Sequence, residues 1–216
     1  PCNAVTFLTR FGGRPDLGPE KSKMKTLGLV WQPMPELSAN LDWWSIDREG
    51  TIQALGVTGA NGFIQNYNLF KDRFVRDASG NLTAIDISWI NAGNTETRGL
   101  EFGFKANTMI AGARVSAGMD VSYLLKKRSR LVPSVNFGAS EVGVFTRSSD
   151  LGIRWKHTAF ITYERGDWTG TLTQIYRGPY AGYVPPGVAN GSYMPSQWNP
   201  IVSAYTLHIL SVGYKG

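Results

Sequence analysis

The chain has 216 residues, of which 42% are hydrophobic and 18% charged, and its net charge is +6. This length suits one large all-β domain or two small ones, and the charged fraction is low for a soluble protein. The single cysteine excludes an internal disulfide, and with only two histidines a zinc site is disfavoured. No apolar run is long enough for a transmembrane helix. The basic residues cluster only at 126–130, which argues against nucleic-acid binding.

The first predicted element is an antiparallel β-hairpin. Residues 23–32 and 37–47 both alternate apolar and polar side chains, and a period of two is typical of strands. The connection between them is too short for a parallel crossover. Pro33 and Pro35 lack amide hydrogens, so both are predicted to lie in the turn rather than in the hydrogen-bonded ladder.

The middle of the chain predicts two more strands between long connections. Residues 47–94 form a long connection that contains a small hairpin over 74–85. Alternation over 95–106 and over 115–123 predicts a second strand pair, which a short connection at 107–112 joins. A second long connection follows this pair.

The clearest hairpin in the sequence spans Trp155–Arg177. Its apolar positions alternate with a face rich in threonine, and Arg165 with Gly166 is predicted to form a two-residue type I′ turn. This register places His157 opposite Gln174. The two polar side chains of the apolar face could then satisfy each other.

Two features favour a transmembrane β-barrel over a soluble β-sandwich. Short and long connections alternate up to the last strand, over 203–214, as in outer-membrane barrels with short periplasmic turns and longer extracellular loops. Trp155 and Tyr163 lie eight residues apart on one face, as do Trp168 and Tyr176. Eight tilted residues rise roughly 20 Å, close to the apolar band of about 25 Å between two aromatic girdles. A sandwich explains the alternation but neither of these features.

In such a barrel the apolar faces of the strands contact lipid. The opposite faces carry threonine, serine, glycine and charged residues, as a wet lumen requires. The residues predicted to face lipid are Leu27, Leu29, Trp31, Leu37, Leu41, Trp43, Leu100, Phe102, Val115, Met119, Tyr123, Trp155, Ile161, Tyr163, Trp168, Leu172 and Tyr176.

Several short motifs stand out along the chain. They are Pro15-Asp16-Leu17-Gly18-Pro19-Glu20-Lys21-Ser22, the run from Thr26 to Pro33, Leu41-Asp42-Trp43-Trp44, Phe74-Val75-Arg76-Asp77, Gly80-Asn81, Asn91-Ala92-Gly93, Thr97-Arg98-Gly99-Leu100-Glu101, Arg154-Trp155-Lys156-His157 and Gly166-Asp167-Trp168. Together these motifs resemble the carboxy-terminal half of the barrel in TonB-dependent outer-membrane receptors. The likeness runs along most of the chain and is specific in combination rather than piece by piece.

The resemblance implies a barrel of about 22 strands closed around a plug. We predict about seven antiparallel strands, so residues 1–216 would form an all-β, transmembrane β-barrel fragment, roughly a third of the barrel. The plug domain upstream and a final hairpin downstream would then lie outside the chain.

The resemblance also implies a location and a function. The location is the outer membrane of a Gram-negative bacterium, in contact with its lipid. The function is energy-coupled uptake of a scarce small-molecule nutrient, such as a siderophore, vitamin or oligosaccharide, with TonB acting through the missing plug. Neither enzymatic activity, a cofactor nor a nucleic-acid partner is expected.

Aromatic residues in the long connections are candidates for extracellular ligand contacts. The residues singled out are Trp89, Tyr180, Tyr183 and Trp198. They could stack on a sugar or a chelate, or instead pack the loops on each other. Two other functions stay open: a soluble all-β carbohydrate-binding module that uses these aromatics, and a passive outer-membrane pore. No catalytic or metal-binding constellation is predicted, because the carboxylates lie on different strands with no spacing that fixes a pair.

Overall fold

The computed structural model describes residues 6–57, 62–145, 151–189, 191–193 and 199–216. Within these ranges the protein is built almost entirely of β-strands. The strands are β1 (Leu8–Arg10), β2 (Lys21–Met34), β3 (Leu37–Glu49), β4 (Ile52–Gln53), β5 (Phe74–Arg76), β6 (Leu82–Asp86), β7 (Ile90–Asn91), β8 (Asn94–Ile110), β9 (Ala113–Arg130), β10 (Trp155–Arg165), β11 (Trp168–Arg177), β12 (Tyr180–Ala181), β13 (Ile201–Val202) and β14 (Tyr205–Tyr214).

Three short helical segments accompany the strands in the described part of the chain. Two are single 3-10 turns at Tyr67–Leu69 and Lys71–Arg73, and the third is α1 at Pro186–Ala189. Among the described residues, no helix has the length and apolar character needed to cross a membrane.

Seven strands form one large sheet in the order β14, β11, β10, β9, β8, β3, β2. The prediction of about seven antiparallel strands is confirmed, and the sheet is open, with β14 and β2 at its edges. Because sequential strands are antiparallel, the short turns fall at one end of the sheet and the long connections at the other. The short turns are 35–36, 111–112 and 166–167, and the long connections are 50–93, 131–154 and 178–204.

The register of the β10–β11 hairpin differs from the sequence prediction by two residues. Arg165 pairs with Trp168, so the loop consists of Gly166 and Asp167. Gly166 has a φ of 58°, and Asp167 is not among the described residues with positive φ. Positive φ at the first loop position alone is the pattern of a type II′ turn, so the predicted type I′ turn is wrong. The shift is even, and every side chain therefore stays on its predicted face.

The corrected register also changes the partner of His157. It lies opposite Tyr176, and Gln174 lies opposite Ala159. His157 Nε2 is nevertheless 3.0 Å from Gln174 Oε1, because diagonal neighbours on one face of a sheet remain within reach of long side chains. The predicted contact is present although the predicted pairing is wrong.

The two prolines of the first hairpin are divided between strand and turn. Pro35 lies in the two-residue turn, as predicted, whereas Pro33 lies inside β2, one residue before its end. The prediction that Pro33 belongs to the turn is therefore wrong. An edge strand such as β2 tolerates proline where the missing amide hydrogen would face away from the neighbouring strand.

The turn between β8 and β9 is tighter than the connection predicted over 107–112. β8 continues to Ile110, which leaves Ala111 and Gly112 as the turn. Their φ values are 51° and 76°, the two positive values that a type I′ turn needs.

The chain divides into two compact units. The first comprises residues 1–23, 47–95 and 129–138, and the second comprises 24–46, 96–128 and 139–216. Each unit has its own internal organisation.

The first unit contains a hydrophobic core. Phe63 and Ile85 are fully buried in it, and their rings and methyl groups pack with Leu55, Phe70, Ile90, Ala92 and Leu131. A small sheet in the order β1, β6, β5 belongs to the same unit, with β1 parallel to β6. The antiparallel β5 and β6 are the small hairpin predicted over 74–85, which is confirmed.

The second unit contains most of the large sheet and a set of paired loops. β12 pairs with β13, and Val144 forms a parallel bridge with Ala181. The Phe145 amide donates to the Ala181 carbonyl at 2.8 Å, and the Ala181 amide donates to the Gly143 carbonyl at 2.7 Å. Backbone hydrogen bonds therefore join the loop around Gly143 to the loop that follows β11.

Candidate functional site on the two faces of the sheet

Strand pairing across β9, β10, β11 and β14 defines two chemically different faces. Residues directly opposite each other on neighbouring strands point to the same side of the sheet, and residues two positions apart along one strand also share a side. The apolar face includes the rows Ala117–Ile161–Leu172–Leu210 and Met119–Ala159–Gln174–His208. The polar face includes the rows Ser116–Thr162–Thr171–Ser211 and Ser122–Lys156–Arg177–Tyr205.

The residues predicted to face lipid all lie in the strands of the large sheet. Trp168 of β11, a strand paired on both sides, is 58% exposed, whereas Leu27 and Leu29, at 73% and 67%, belong to the edge strand β2, which is exposed on both faces. Soluble monomers rarely leave so many large apolar side chains exposed together. Also exposed are Trp31, Leu41, Trp155, Ile161, Tyr163 and Leu172, and half-buried are Leu37, Trp43, Leu100, Phe102, Val115, Met119, Tyr123 and Tyr176.

Aromatic side chains lie near both ends of the apolar face. Toward the long connections, the rings of Tyr123 and Trp155 meet edge to face with centroids 5.9 Å apart. Toward the short turns, Trp168 and Tyr214 lie opposite each other with ring centroids 4.9 Å apart. The sequence alone did not assign Tyr214 to this aromatic group, because its contact with Trp168 is set by the pairing of β14 with β11.

A chain of polar side chains crosses the apolar face. Trp155 Nε1 donates to His157 Nδ1 at 2.9 Å, His157 Nε2 is 3.0 Å from Gln174 Oε1, and Gln174 Nε2 is 3.0 Å from His208 Nε2. Indole nitrogen only donates, which makes His157 Nδ1 the acceptor and its Nε2 the donor. The amide nitrogen of Gln174 then donates to His208. The sequence predicted the contact between His157 and Gln174, but not the hydrogen bonds that Trp155 and His208 add at its two ends.

Two strand glycines of the second unit are covered by large side chains. A Cβ at Gly99 would lie 2.5 Å from Trp44 Cζ2, and a Cβ at Gly118 would lie 2.5 Å from Phe160 Cε1. Gly118 and Phe160 are directly paired. Both glycines therefore make room for aromatic rings that lie over them.

Two open cavities lie against the polar face. The first, about 400 Å³, includes Glu101, Asp120, Lys156 and Arg177 in its lining. The second, about 510 Å³, has Arg177 as its one charged lining residue within the described part of the chain. The remaining wall of the second cavity is largely apolar and includes Leu151, Ile153, Ile175, Tyr180, Val202, Tyr205 and Leu207.

The predicted ligand-contact residues are only partly brought to a cavity. Tyr180 lines the second cavity, and Tyr183 follows β12 in the same unit and is 38% exposed. Trp89 belongs to the first unit, where its amide donates to the Gly12 carbonyl and its side chain is exposed. Trp198 lies outside the described residues.

Two of the family-like motifs meet in the first unit. The Gly18 amide donates to Asn91 Oδ1 at 2.7 Å, and Asn91 Nδ2 donates to the carbonyls of Gly18 and Gly50 at 2.8 and 2.9 Å. Nearby in sequence, the Glu20 carboxylate accepts the Ile52 amide at 2.8 Å. These side chains satisfy backbone groups where strands begin or end, which gives the motif residues a structural role.

The basic cluster noticed in the sequence is engaged with other side chains. Lys126 and Arg128 both contact Glu96, at 2.5 and 2.9 Å. The Arg130 guanidinium lies 4.6 Å from the centroid of the Phe137 ring. Glu96 and the Phe137 ring therefore each engage part of the cluster.

Two arginine side chains lie close to the Asp86 carboxylate in the first unit. Arg73 and Arg14 lie 3.4 and 3.6 Å from its Oδ2, while its Oδ1 accepts the Ser88 amide at 2.9 Å. Burial alone would raise the pKa of Asp86, but the hydrogen bonds from Ser88 and the charges of the two arginines outweigh it and lower the pKa. Within the described residues, no cluster of three or more histidine, cysteine, aspartate or glutamate side chains is placed to hold a metal.

An open antiparallel sheet with one apolar face, one polar face, short turns at one end and long connections at the other defines a segment of β-barrel wall. The chain matches the TonB dependent receptor-like β-barrel family over residues 3–215, and it belongs to that family. No curated protein sequence matches it.

Three solved structures share the fold. They are a mutant of the ferric enterobactin receptor PfeA from Pseudomonas aeruginosa (15% identity, TM-score 0.59), the FrpB iron transporter from Neisseria meningitidis (11%, 0.57) and the siderophore receptor PirA from Acinetobacter baumannii (20%, 0.56). Each match covers 95% of this chain but only 25%, 26% and 27% of the respective solved chain. The chain therefore spans about a quarter of the length of these proteins.

Proposed function

We propose that the chain forms part of the barrel of an outer-membrane receptor that takes up a scarce small nutrient with energy supplied through TonB. The observation that carries the proposal is the seven-stranded sheet, in which one face is apolar and aromatic at both ends and the other is polar. Lipid outside and water inside require this division. Family membership supplies the link to TonB.

The predicted lipid-facing residues keep that role in the proposal. A sheet with exposed edges leaves backbone groups unpaired, which is costly in hydrocarbon, so β2 and β14 would pair with further strands of a closed barrel. The plug domain and the final hairpin would be supplied by parts of the receptor outside residues 1–216. The receptor would act as a transporter rather than an enzyme.

Iron carriers are the first nutrient class to test. The three similar structures are a ferric enterobactin receptor, an iron transporter and a siderophore receptor. Exposure of the apolar face disfavours the soluble carbohydrate-binding module. Family membership disfavours the passive pore.

The decisive experiment compares uptake with and without energy coupling. The complete gene product would be expressed in a Gram-negative host that lacks its own iron-carrier receptors, in otherwise identical strains with and without TonB. We expect the protein in the outer-membrane fraction, and growth on a panel of ferric siderophores, a vitamin and oligosaccharides only when TonB is present. Equal growth in both strains would support the pore instead, and recovery of the protein from the soluble fraction would overturn the barrel.

A further inference from the structure

Two cations stand side by side on the polar face. Lys156 of β10 is directly paired with Arg177 of β11, and the same row continues to Ser122 on one side and Tyr205 on the other. Neither cation forms an ion pair with a described residue. Like charges directly opposite each other destabilise an antiparallel pair. A bound anion would remove that repulsion, and all four side chains of the row can donate hydrogen bonds to it.

One acidic residue of the first cavity's wall, Asp120, compensates the two cations unequally. Asp120 pairs with Thr158, one row along the strand from Lys156. From ideal sheet spacings, the Cα atoms of Asp120 and Lys156 are about 8 Å apart, whereas those of Asp120 and Arg177 are about 12 Å apart. Arg177 therefore carries the less compensated charge and is the stronger anchor for an anion.

An apolar cavity adjoins this anchor. Arg177 lines both cavities, and in the second, of about 510 Å³, it is accompanied by the rings of Tyr180 and Tyr205 and by aliphatic side chains such as Ile153 and Leu207. Pockets of this volume that combine an apolar wall with one charged group are typical of small-molecule sites. A guanidinium binds a carboxylate through two parallel hydrogen bonds, which also fixes the orientation of the ligand.

We propose that this cavity binds a small amphiphilic anion, with its apolar or aromatic body against the cavity wall and its anionic head on Arg177, assisted by Lys156. The assignment deepens the proposed function, because it rests on the polar face lining the path of the nutrient. It names the chemical class of ligand that this part of the wall recognises.

The test is ligand-observed ¹⁹F NMR on the complete gene product in detergent, with 4-(trifluoromethyl)benzoate as the probe. The neutral 4-(trifluoromethyl)benzamide is the matched control for partitioning into micelles. We expect saturable binding of the benzoate only. Arg177→Gln should weaken it about tenfold or more, the loss expected for a charged hydrogen-bonding partner, and Lys156→Gln should weaken it less.

Three further variants make the test specific. Arg177→Lys keeps the charge and should bind more tightly than Arg177→Gln but less tightly than the wild type. Asp120→Asn should tighten binding severalfold, because it removes an opposing charge one row from Lys156. Arg165→Gln removes a cation at the far end of the same hairpin and should change nothing. Unchanged heat-modifiable migration in electrophoresis identifies the variants that are correctly assembled.

Several results would overturn the inference. The inference is wrong if the benzamide binds as well as the benzoate, or if assembled Arg177→Gln binds the benzoate as tightly as the wild type. It is also wrong if the wild type shows no saturable binding. The last result would mean that another part of the protein neutralises the two cations. TonB-dependent uptake without this binding would leave the proposed function intact, whereas binding without TonB-dependent uptake would refute the proposed function and keep the site.

Discussion

Replacing Gln174 by leucine should destabilise the protein although the new side chain is apolar. Gln174 is the central link of the polar chain on the apolar face, with His157 on one side and His208 on the other, each at 3.0 Å. Leucine removes both hydrogen bonds at once. It leaves the His157 Nε2 hydrogen and the His208 Nε2 lone pair without their partner on a face that we propose contacts lipid.

The expected size of the effect follows from the two lost bonds. Side-chain hydrogen bonds in membrane proteins contribute about 0.6 kcal/mol on average and rarely above about 1.7 kcal/mol. Loss of both should therefore cost about 1 to 3 kcal/mol, because burial of the leucine methyl groups gives little when lipid already surrounds the site. The triple variant Gln174→Leu, His157→Leu, His208→Leu should recover much of the loss, since the one group of the chain that it leaves without a partner is the indole N–H of Trp155, which is 40% exposed at the end of the apolar face.

The assay is SDS-induced unfolding of the complete protein in mixed micelles, followed by tryptophan fluorescence. The unfolded chain stays bound to the micelle, so apolar tails surround residue 174 in both states. Leu172→Ala, on the same face of the same strand, reports what loss of an apolar side chain costs without any change in hydrogen bonding. If Gln174→Leu proves as stable as the wild type, or more stable, the hydrogen bonds of the polar chain contribute nothing to the stability of the protein. A triple variant less stable than the single one would refute the argument from unsatisfied groups.

Three further predictions concern faces, packing and charge. Leu29→Asp should lower the amount of heat-modifiable barrel severalfold, because it places a charge on the apolar face, while Val30→Asp should be tolerated; equal yields would mean that the faces are reversed. Gly118→Val should cost about 1–3 kcal/mol in urea unfolding, because its Cβ would meet a ring at 2.5 Å and a backbone oxygen at 3.2 Å, whereas Gly170→Val, with open space around it, should cost far less. The lowered pKa of Asp86 predicts that its ionised carboxylate stabilises the folded protein fully above the ordinary pKa of 3.8, and that this stabilisation is lost as the pH falls through the lower pKa of the folded state. Amide hydrogen exchange in β6 should therefore lose protection over this pH range in the wild type and not in Asp86→Asn.

The sequence by itself determined the strands and the chemistry of their faces. Alternation with a period of two depends only on the extended backbone, which turns successive side chains to opposite sides. Leu29 and Val30, or Ile161 and Thr162, could therefore be assigned to opposite faces without knowledge of any partner strand. The short connections are likewise a property of the chain alone, and they ruled out parallel pairing of the strands that they join.

Turn geometry was the first feature that the sequence left undecided. A glycine next to Asp167 suits either of two hairpin turns, according to whether it takes the first or the second loop position. Both turns keep every side chain on the same face, so alternation could not choose between them. The structure chose the turn that begins at Gly166.

Contacts between distant segments were decided only by the tertiary structure. Asn91 meets the backbone of Gly18, 73 residues away, and His208 meets Gln174 because β14 pairs with β11. The proposed anion site depends on one further pairing, which sets Arg177 beside Lys156 at the mouth of an apolar cavity. The contacts of His208 and Arg177 require a ladder of backbone hydrogen bonds to bring two strands into one register, and no local pattern in either strand specifies that register.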